Sequence, residues 1–319
     1  MSALLLAAVF LQAPAETAPR PSVVLVVGAG GEAAYEEAFA RWAKRWRQAA
    51  EQGGAKLLSV GSSEAAGEQT DREKLQAILQ AESAKENAGE LWLVLLGHGS
   101  YDRRRAKFNL RGPDVSATEI KQWLQTSKRS VAVIVCASSS GPFVNKLSAP
   151  NRIVISAVKS GYEQNYSRFG DYFSQALLGL EADLDKDQQV SLLEAFLAGS
   201  RGAQEFYENQ SRLATEHALL DDNGDQKGSP ASLFQGVRSK TLPADGAVPD
   251  GIRSHQWRLI PSDQERNMSA EVRAKRDALE QRLEALRPQK KALGEEEYYR
   301  RLEKIVTPLA ELYEANGGE

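Results

Sequence analysis

The chain has 319 residues, of which 42% are hydrophobic and 26% charged, and its net charge at pH 7 is −3. This length suits one sizeable globular domain with an appendage. Because the charge is near balance and no basic block is present, nucleic acid is excluded as an expected partner. The single cysteine, Cys136, excludes an intrachain disulfide, so we expect the hydrophobic core to supply the stability.

The N-terminus has the pattern of a secretory signal. Residues 3–11 are apolar and are followed by Ala13-Pro14-Ala15, an A-x-A cleavage pattern. We therefore expect residues 1–15 to be a signal peptide, and the mature chain to be exported to the periplasm or the extracellular space. This apolar stretch is too short to span a bilayer, so the mature protein is not expected to be integral to a membrane.

Apolar runs alternate with helical periodicity through the first half of the chain. The predicted strands cover 23–27, 56–60, 91–96, 131–135 and 152–157, and the predicted helices cover 33–52, 71–84 and 116–126. Ser116 and Glu119 have the spacing of a capping box at the start of the third helix. The alternation predicts an α/β fold: a doubly wound, mainly parallel sheet with helices on both faces.

Two of these strands end in residues that suit acyl transfer. The strand at 91–96 is followed by Gly97-His98-Gly99, and the strand at 131–135 by Cys136-Ala137-Ser138-Ser139-Ser140-Gly141. In an open α/β sheet, ligands bind at the carboxyl ends of the strands. A histidine base and a nucleophile candidate are therefore expected at one edge of the sheet.

These two segments resemble the caspase–legumain clan of cysteine peptidases, and most closely its legumain side with the bacterial relatives. The clan pattern is an apolar strand ending in His-Gly, then an apolar strand ending in x-Ala-Cys-x-Ser-Gly, and the resemblance covers about residues 21–170. It implies a caspase-like fold and peptide-bond hydrolysis with His98 as the base. It also implies that the amides of Gly99 and Ser138 stabilise the oxyanion.

The alignment places Ser138, rather than a cysteine, at the nucleophile position. A serine hydroxyl needs a well-oriented base, usually one held by a carboxylate, and no Asp or Glu adjoins His98 in the sequence. Cys136 precedes Ser138 by two residues, roughly 6.6 Å along a strand, and is expected to be a buried core thiol rather than the nucleophile. Two functions stay open: hydrolysis through His98 and Ser138 (or Cys136), and a catalytically inactive pseudopeptidase that binds a peptide or protein.

Two other motifs suggest different functions. Residues 28–33 match G-x-G-x-x-A after a strand, but no acidic residue ends the second strand and export disfavours a cytosolic cofactor, so no organic cofactor is expected. Residues 137–141 resemble a nucleophile elbow with Ser139 at its centre and His217 or His255 downstream. The first glycine of that motif is absent, and His98 would have no role in it.

The segment after the fifth predicted strand is expected to form a wall of the substrate cleft. Its charged residues Lys159, Glu163 and Arg168 are candidates for selecting a charged or amide side chain. Surface charges without a binding role are the alternative interpretation of these residues.

Two acidic stretches have the spacing of calcium-binding loops. Counted from Asp183 as position 1 of an EF-hand loop, oxygen-bearing side chains fall at positions 3, 5, 9 and 12, and the candidate ligands are Asp183, Asp185, Asp187, Gln189 (position 7) and Glu194 (position 12). Gln188 replaces the glycine that eases the left-handed turn. The second stretch offers Asp221, Asn223 and Asp225, with Ser232 at position 12. Both predict Ca²⁺, against the alternative of solvated acidic turns.

The C-terminal part is predicted to be a helical appendage. We expect a caspase/legumain-like domain over 20–240, a linker with extended segments over 241–261, and a helical hairpin over 262–319. Pro288 separates the two helices, and Pro308 is expected to kink or shorten the second. The hairpin is expected to pack on itself, on the main domain, on a second subunit or on a partner.

Overall fold

The structure, a computed structural model, describes residues 19–61, 69–86, 89–240 and 248–315. The predicted signal peptide, 1–15, lies outside the described residues, so cleavage and export stay predictions. Within the described part of the chain, no helix is both long and apolar enough to cross a membrane.

The strands are short, and most belong to one central sheet. In chain order they are β1 (Ser22–Val27), β2 (Lys56–Val60), β3 (Leu91–Leu96), β4 (Gly99–Tyr101), β5 (Ala106–Phe108), β6 (Val115–Ser116), β7 (Val131–Cys136), β8 (Arg152–Ser156), β9 (Leu219–Asp221), β10 (Ser229–Pro230), β11 (Phe234–Gln235) and β12 (Arg238–Ser239). Seven of them form a sheet with the order β10-β9-β8-β7-β3-β1-β2. The five strands from β8 to β2 are parallel, and β9 and β10 add an antiparallel edge.

The helices lie between the strands and then continue beyond the sheet. They are α1 (Ala33–Gln52), α2 (Asp71–Ser83), α3 (Ala117–Trp123), α4 (Gly141–Leu147), α5 (Phe169–Ala176), α6 (Leu192–Asn209), α7 (Ile252–His255), α8 (Asp263–Asn267), α9 (Ala270–Leu286), α10 (Lys290–Leu293) and α11 (Glu295–Ala315). Both partners of the predicted capping box at Ser116 and Glu119 are present at α3. The predicted fold class, a mainly parallel α/β sheet with helices on both faces, is confirmed.

The alternation of side chains along β3 explains why both faces carry helices. Trp92, Val94 and Leu96 belong to the core shared with α1, α5 and α6, whereas Leu91, Leu93 and Leu95 belong to the core shared with α2, α3 and α4. Successive side chains of a strand point to opposite faces, so a continuous apolar run requires cover on both sides.

A buried ion pair joins α2 to the start of β7. The Nη1 atom of Arg129 lies 2.6 Å from a carboxylate oxygen of Glu82, and both side chains are almost fully buried. Lys56 and Lys85 also contact the Glu82 carboxylate. Arg129 also donates hydrogen bonds to the carbonyls of Gly89 and Glu90. The buried charge of its guanidinium is therefore well compensated.

The described part of the predicted linker, residues 248–261, differs from the expectation of extended segments. It contains the short helix α7, and it buries Trp257 and Leu259 in the core of the main domain. The Trp257 ring lies 5.3 Å from that of Trp92, and the Trp257 carbonyl accepts the Leu192 amide at 2.7 Å. Two large apolar side chains therefore hold this segment on the domain.

The C-terminal helices α9 and α11 pack against each other around Leu279, Leu286, Tyr298 and Ile305. Pro288 lies in the 3₁₀ turn at 287–289 between them. Helix α11 is not shortened at Pro308, which lies inside its single span of 21 residues. The buried side chain of Arg276 in α9 pairs with Glu265 of α8 and with Asp277.

Candidate functional site

The two predicted catalytic segments lie side by side at the carboxyl edge of the sheet. Strands β3 and β7 are parallel neighbours with Leu96 opposite Cys136, and the Gly97 amide donates to the Cys136 carbonyl at 3.3 Å. This register places Gly99, which follows His98, directly against the backbone of Ser138. A Cβ at position 99 would lie 2.2 Å from the Ser138 carbonyl oxygen, so this close approach requires glycine.

The Ser138 side chain is buried, with 4% of its surface exposed. Its Oγ accepts the Gly99 N–H at 3.2 Å and donates to the Gly99 carbonyl at 3.1 Å. Gly99 and Ser138 are thus brought together as expected. The amide predicted to stabilise an oxyanion is already occupied by the hydroxyl predicted to attack.

His98 is half-buried, and its ring is held from two sides. Its Nε2 lies 3.2 Å from the Gly30 carbonyl, which can only accept, so Nε2 carries a proton and Nδ1 is the basic nitrogen of the neutral ring. The rings of Tyr35 and Phe39 pack edge-on at 4.9 and 5.1 Å. Burial lowers the pKa of His98. Among the described residues, neither Ser138 nor a carboxylate is hydrogen-bonded to His98.

Cys136 lies beneath the rim, as its position two residues before Ser138 predicts. It is buried, and a Cβ added at Gly170 would lie 2.8 Å from the Cys136 Cβ, which shows how closely α5 packs on it. Burial raises the pKa of the Cys136 thiol well above its usual value. Because the thiolate is the nucleophilic form, this environment does not support Cys136 as the nucleophile.

Ser139 occupies the turn between β7 and α4 in a left-handed backbone conformation, with φ of 55°. This strand–turn–helix arrangement is the one that the nucleophile-elbow interpretation requires. The Ser139 side chain is nevertheless buried, and its amide donates to the Glu163 carbonyl at 2.8 Å. The two downstream histidines bond elsewhere, His217 to Glu163 and His255 to Asp185. The geometry therefore does not support the elbow.

The loop after β8 holds the three predicted selector residues in different environments. Lys159 is exposed. The Glu163 carboxylate accepts the Lys159 amide at 2.9 Å and contacts His217 Nδ1 at 2.6 Å. The Arg168 guanidinium stacks over the Phe206 ring at 3.9 Å. Of the three side chains, those of Glu163 and Arg168 therefore help to hold the loop, whereas the Lys159 side chain points to solvent.

Two features beside this loop were missed by sequence reasoning. The exposed Tyr162, with 67% of its surface accessible, packs edge-on against Tyr101 at 5.6 Å and forms an aromatic rim near Gly99.

The second feature is a cavity of about 440 Å³ at the end of β8, with Glu216 and His217 in its lining. The Glu216 carboxylate accepts the Ser167 hydroxyl at 2.6 Å, and burial raises the pKa of Glu216. Glu216 belongs to no recognisable sequence motif, so the sequence alone did not indicate it.

The first acidic loop, residues 183–194, folds around Asp183. The Asp183 carboxylate accepts the amides of Lys186 at 2.6 Å and Gln188 at 3.1 Å. Gln188 adopts the left-handed conformation, with φ of 67°, that glycine takes more easily. Glu194 forms a capping box with Ser191 at the start of α6.

The side chains of the first acidic loop come close enough to share a metal ion. Two groups each have ligand atoms within 4.8 Å of one another: Asp183, Asp185 and Asp187, and Asp185, Glu194 and His255. Two side chains from the 248–261 segment, His255 and Arg258, already contact them. Asp185 lies 2.8 Å from His255 Nε2, and Asp187 lies 3.2 Å from Arg258 Nη2.

The second acidic loop, residues 221–232, repeats this backbone arrangement. The Asp221 carboxylate accepts the Gly224 amide at 2.9 Å, and the Asn223 side-chain oxygen accepts the Asp225 amide at 2.9 Å. Gln226 has φ of 69°, matching the sixth residue of the first loop. Burial raises the pKa of Asp221, while the Ser148 hydroxyl and the Gly224 amide lower it.

Two more buried carboxylates lie next to the second acidic loop. Asp222 accepts the Ser254 amide at 2.7 Å, and Asp250 accepts the Asp222 amide at 2.9 Å. Burial and the neighbouring Asp222 raise the pKa of Asp250 to about 7. Asp250 lies outside both predicted calcium motifs, so no sequence spacing indicated this cluster.

The chain is similar to solved structures at low sequence identity. No protein-family model matches it, and no curated protein matches it. The solved structures to which it is similar include the Drosophila initiator caspase Dronc, with 15% identity, 66% of this chain and 82% of that chain covered, and a TM-score of 0.43. Caspase-1 from Spodoptera frugiperda has 8% identity, covers 64% of this chain and 87% of its own, and gives a TM-score of 0.42.

Proposed function

We propose that this protein binds a peptide or a protein segment at a peptidase-type site without hydrolysing it. The observation that carries the proposal is the pairing of Ser138 with Gly99: the hydroxyl donates to the Gly99 carbonyl and accepts the Gly99 amide. The caspase–legumain relationship itself rests on the His98-Gly99 and Ala137–Gly141 motifs of the sequence.

The pairing opposes hydrolysis in two ways. A serine attacks efficiently only when a base takes its proton, and the Ser138 proton is directed to a carbonyl oxygen, which is a very weak base. Oxyanion stabilisation requires donors aimed at the developing charge. The Gly99 N–H is instead satisfied by Ser138 in the resting site.

The surroundings suit binding of an extended segment. Tyr162 and Tyr101 offer an aromatic rim beside Gly99, and Lys159 adds an exposed positive charge on the same loop. Aromatic side chains provide large contact area at low conformational cost, and they are enriched where interfaces bind tightly.

Hydrolysis by Ser138 is the second candidate, and one observation favours it. The Gly30 carbonyl fixes the His98 tautomer so that Nδ1 is basic, and burial keeps this ring neutral and able to accept a proton. Hydrolysis would require the Ser138 hydroxyl to leave the Gly99 carbonyl and to donate to His98 Nδ1 instead.

Turnover of a fluorogenic peptide library by the mature chain distinguishes the two candidates. We expect no hydrolysis by the wild type, with or without Ca²⁺, and hydrolysis by Ser138→Cys because a thiolate is the stronger nucleophile. Hydrolysis by the wild type that is lost in His98→Ala would establish the second candidate instead.

Binding is measured separately, by fluorescence polarisation of the same library. We expect peptides to bind the wild type and to lose affinity for Tyr162→Ala. Tyr299→Ala is the matched control, since Tyr299 is an exposed tyrosine on α11. If no peptide binds, or if both variants lose affinity equally, the proposed binding site is wrong.

A further inference from the structure

The two acidic loops have the same backbone design. In each, the first carboxylate accepts the amide of the fourth residue, the third side chain accepts the amide of the fifth, and the fifth side chain accepts the amide of the seventh. In each, the sixth residue is a glutamine in the left-handed conformation. This shared design means that a difference between the loops in charge compensation is informative.

The carboxylates of the first acidic loop already have side-chain partners from the 248–261 segment, one of them the cation Arg258. His255 and Arg258 contact Asp185 and Asp187. Gln189, predicted as a ligand, donates to Asp187 at 2.9 Å and accepts the Ser262 amide at 3.0 Å. The loop therefore holds the 248–261 segment against the domain, and its oxygens are already used.

The second acidic loop has no comparable cation. Asp221 has no exposed surface, and its Oδ2 has no hydrogen-bond partner among the described residues. The one salt bridge described for this loop is a 4.0 Å approach of the exposed Lys227 to Asp225. Asp222 and Asp250 lie behind it, buried and without a salt bridge in the described part of the chain.

Burying these carboxylates costs free energy of folding unless a cation or hydrogen bonds compensate their charge. Buried carboxylates are normally paired with a cation or coordinate a metal, because taking an isolated charge out of water is expensive. The Oδ2 atom of Asp221 is inaccessible to solvent and has no hydrogen-bond partner among the described residues. A metal ion bound by the loop would give this oxygen the partner that it lacks.

We propose that the second acidic loop binds one Ca²⁺ through Asp221, Asn223 and Asp225, and that the first acidic loop binds none. Carboxylate and amide oxygens on a flexible turn are the ligands that Ca²⁺ takes, whereas Mg²⁺ demands a stricter octahedron. Ser232 replaces the bidentate glutamate at position 12. Water would therefore complete the shell on the side of the partly exposed Asn223 and Asp225, and the affinity would be lower than that of a complete EF-hand loop. The proposal does not depend on the peptide-binding function.

Isothermal titration of the chelator-treated mature chain with CaCl₂, and with MgCl₂ in parallel, tests the proposal. We expect one Ca²⁺ per chain and a rise in Tm on binding. Asp225→Asn, a partly exposed ligand, is expected to lower the Ca²⁺ affinity at least tenfold. Asp187→Asn is the matched control, because it removes the equivalent carboxylate of the first acidic loop and is expected to leave the affinity unchanged.

Four outcomes would overturn the proposal: no Ca²⁺ binding by the wild type, two ions per chain, equal binding of Mg²⁺, or loss of binding in Asp187→Asn rather than in Asp225→Asn. Circular dichroism of each variant before titration establishes that it is folded. If Asp225→Asn does not fold, Asn223→Ala replaces it, with the same expected loss of affinity.

Discussion

The Ser138 side chain and the Gly99 backbone are joined by two hydrogen bonds, of 3.2 and 3.1 Å, across the ends of β3 and β7. They connect the histidine-bearing loop to the turn that carries the nucleophile position. Ser140 continues the connection to β8, because its hydroxyl accepts the Ala157 amide at 3.1 Å. Serine side chains in this turn therefore hold three strand ends together, a structural role distinct from catalysis.

Gly99→Ala is expected to destabilise the fold, because its Cβ would lie 2.2 Å from the Ser138 carbonyl oxygen. Overpacking of this kind costs roughly 1–3 kcal/mol, measurable as a lower midpoint of urea unfolding. Ser100→Ala, the neighbouring half-buried position, is the control and should change stability by less than about 1 kcal/mol. A Gly99→Ala protein as stable as the wild type would contradict the close packing.

His98 should make stability depend on pH in the weakly acidic range. Burial lowers its pKa in the folded state, so the unfolded chain binds the proton first as pH falls below about 6.5. The free energy of unfolding should therefore decrease from about pH 7 to about pH 5.5 by more in the wild type than in His98→Gln. Urea titrations at several pH values measure this; identical slopes would show that His98 makes no contribution.

The Glu82–Arg129 pair should contribute to stability at neutral pH and lose its effect in acid. Burial raises the pKa of Glu82, but hydrogen bonds from Lys85, Lys56 and Arg129 outweigh it and lower the pKa to about 2. A lowered carboxyl pKa stabilises the fold above the ordinary value of 4.5, and the effect disappears as pH falls toward about 2.

Glu82→Gln tests this pair, because it leaves the Arg129 charge buried without its carboxylate. We expect a loss of about 3 kcal/mol at neutral pH, together with a weaker acid dependence of unfolding. Glu86→Gln, which removes an exposed contact with Lys128, is the control and should cost less than about 1 kcal/mol. Equal effects of the two substitutions would refute the importance of burial.

Pro308→Ala is expected to stabilise the C-terminal hairpin. Proline inside α11 removes one backbone hydrogen bond of the helix, and interior proline costs up to about 3 kcal/mol. Slower hydrogen exchange of the amides around residues 304–312 would report the gain. Thr307→Ala, at the adjacent exposed position, serves as the control. Unchanged exchange in Pro308→Ala would mean that packing against α9 already determines the helix.

The sheet could be predicted because its signals are local. Strands such as β3 are continuous apolar runs, and parallel neighbours end at the same edge, which brings Gly99 to Ser138 without further information. The orientation of His98 could not be predicted in this way. Its partner is a backbone carbonyl 68 residues earlier, and any residue type supplies a carbonyl.

Contacts between residues far apart in the chain also could not be predicted in the region after residue 240. The predicted linker is rich in proline and glycine, which indicates turns, but the burial of Trp257 depends on Trp92, far away in the chain. The contacts of the first acidic loop with His255 and Arg258 are also remote in sequence, at 70 and 71 residues from Asp185 and Asp187. Spacing within a motif could identify the oxygens of this loop but not the side chains that contact them.

The position of Trp257 and Leu259 in the core has a consequence for the order of synthesis. Because the chain emerges from the ribosome N-terminus first, β3 and α6 are made long before the residues that cover them. Until residue 259 has been made, Trp92 lacks its contact with Trp257, and the Leu192 amide lacks its carbonyl acceptor. The α/β unit is therefore completed only after residue 259 has been made, and a nascent chain stopped at residue 240 would expose apolar surface to chaperones and proteases.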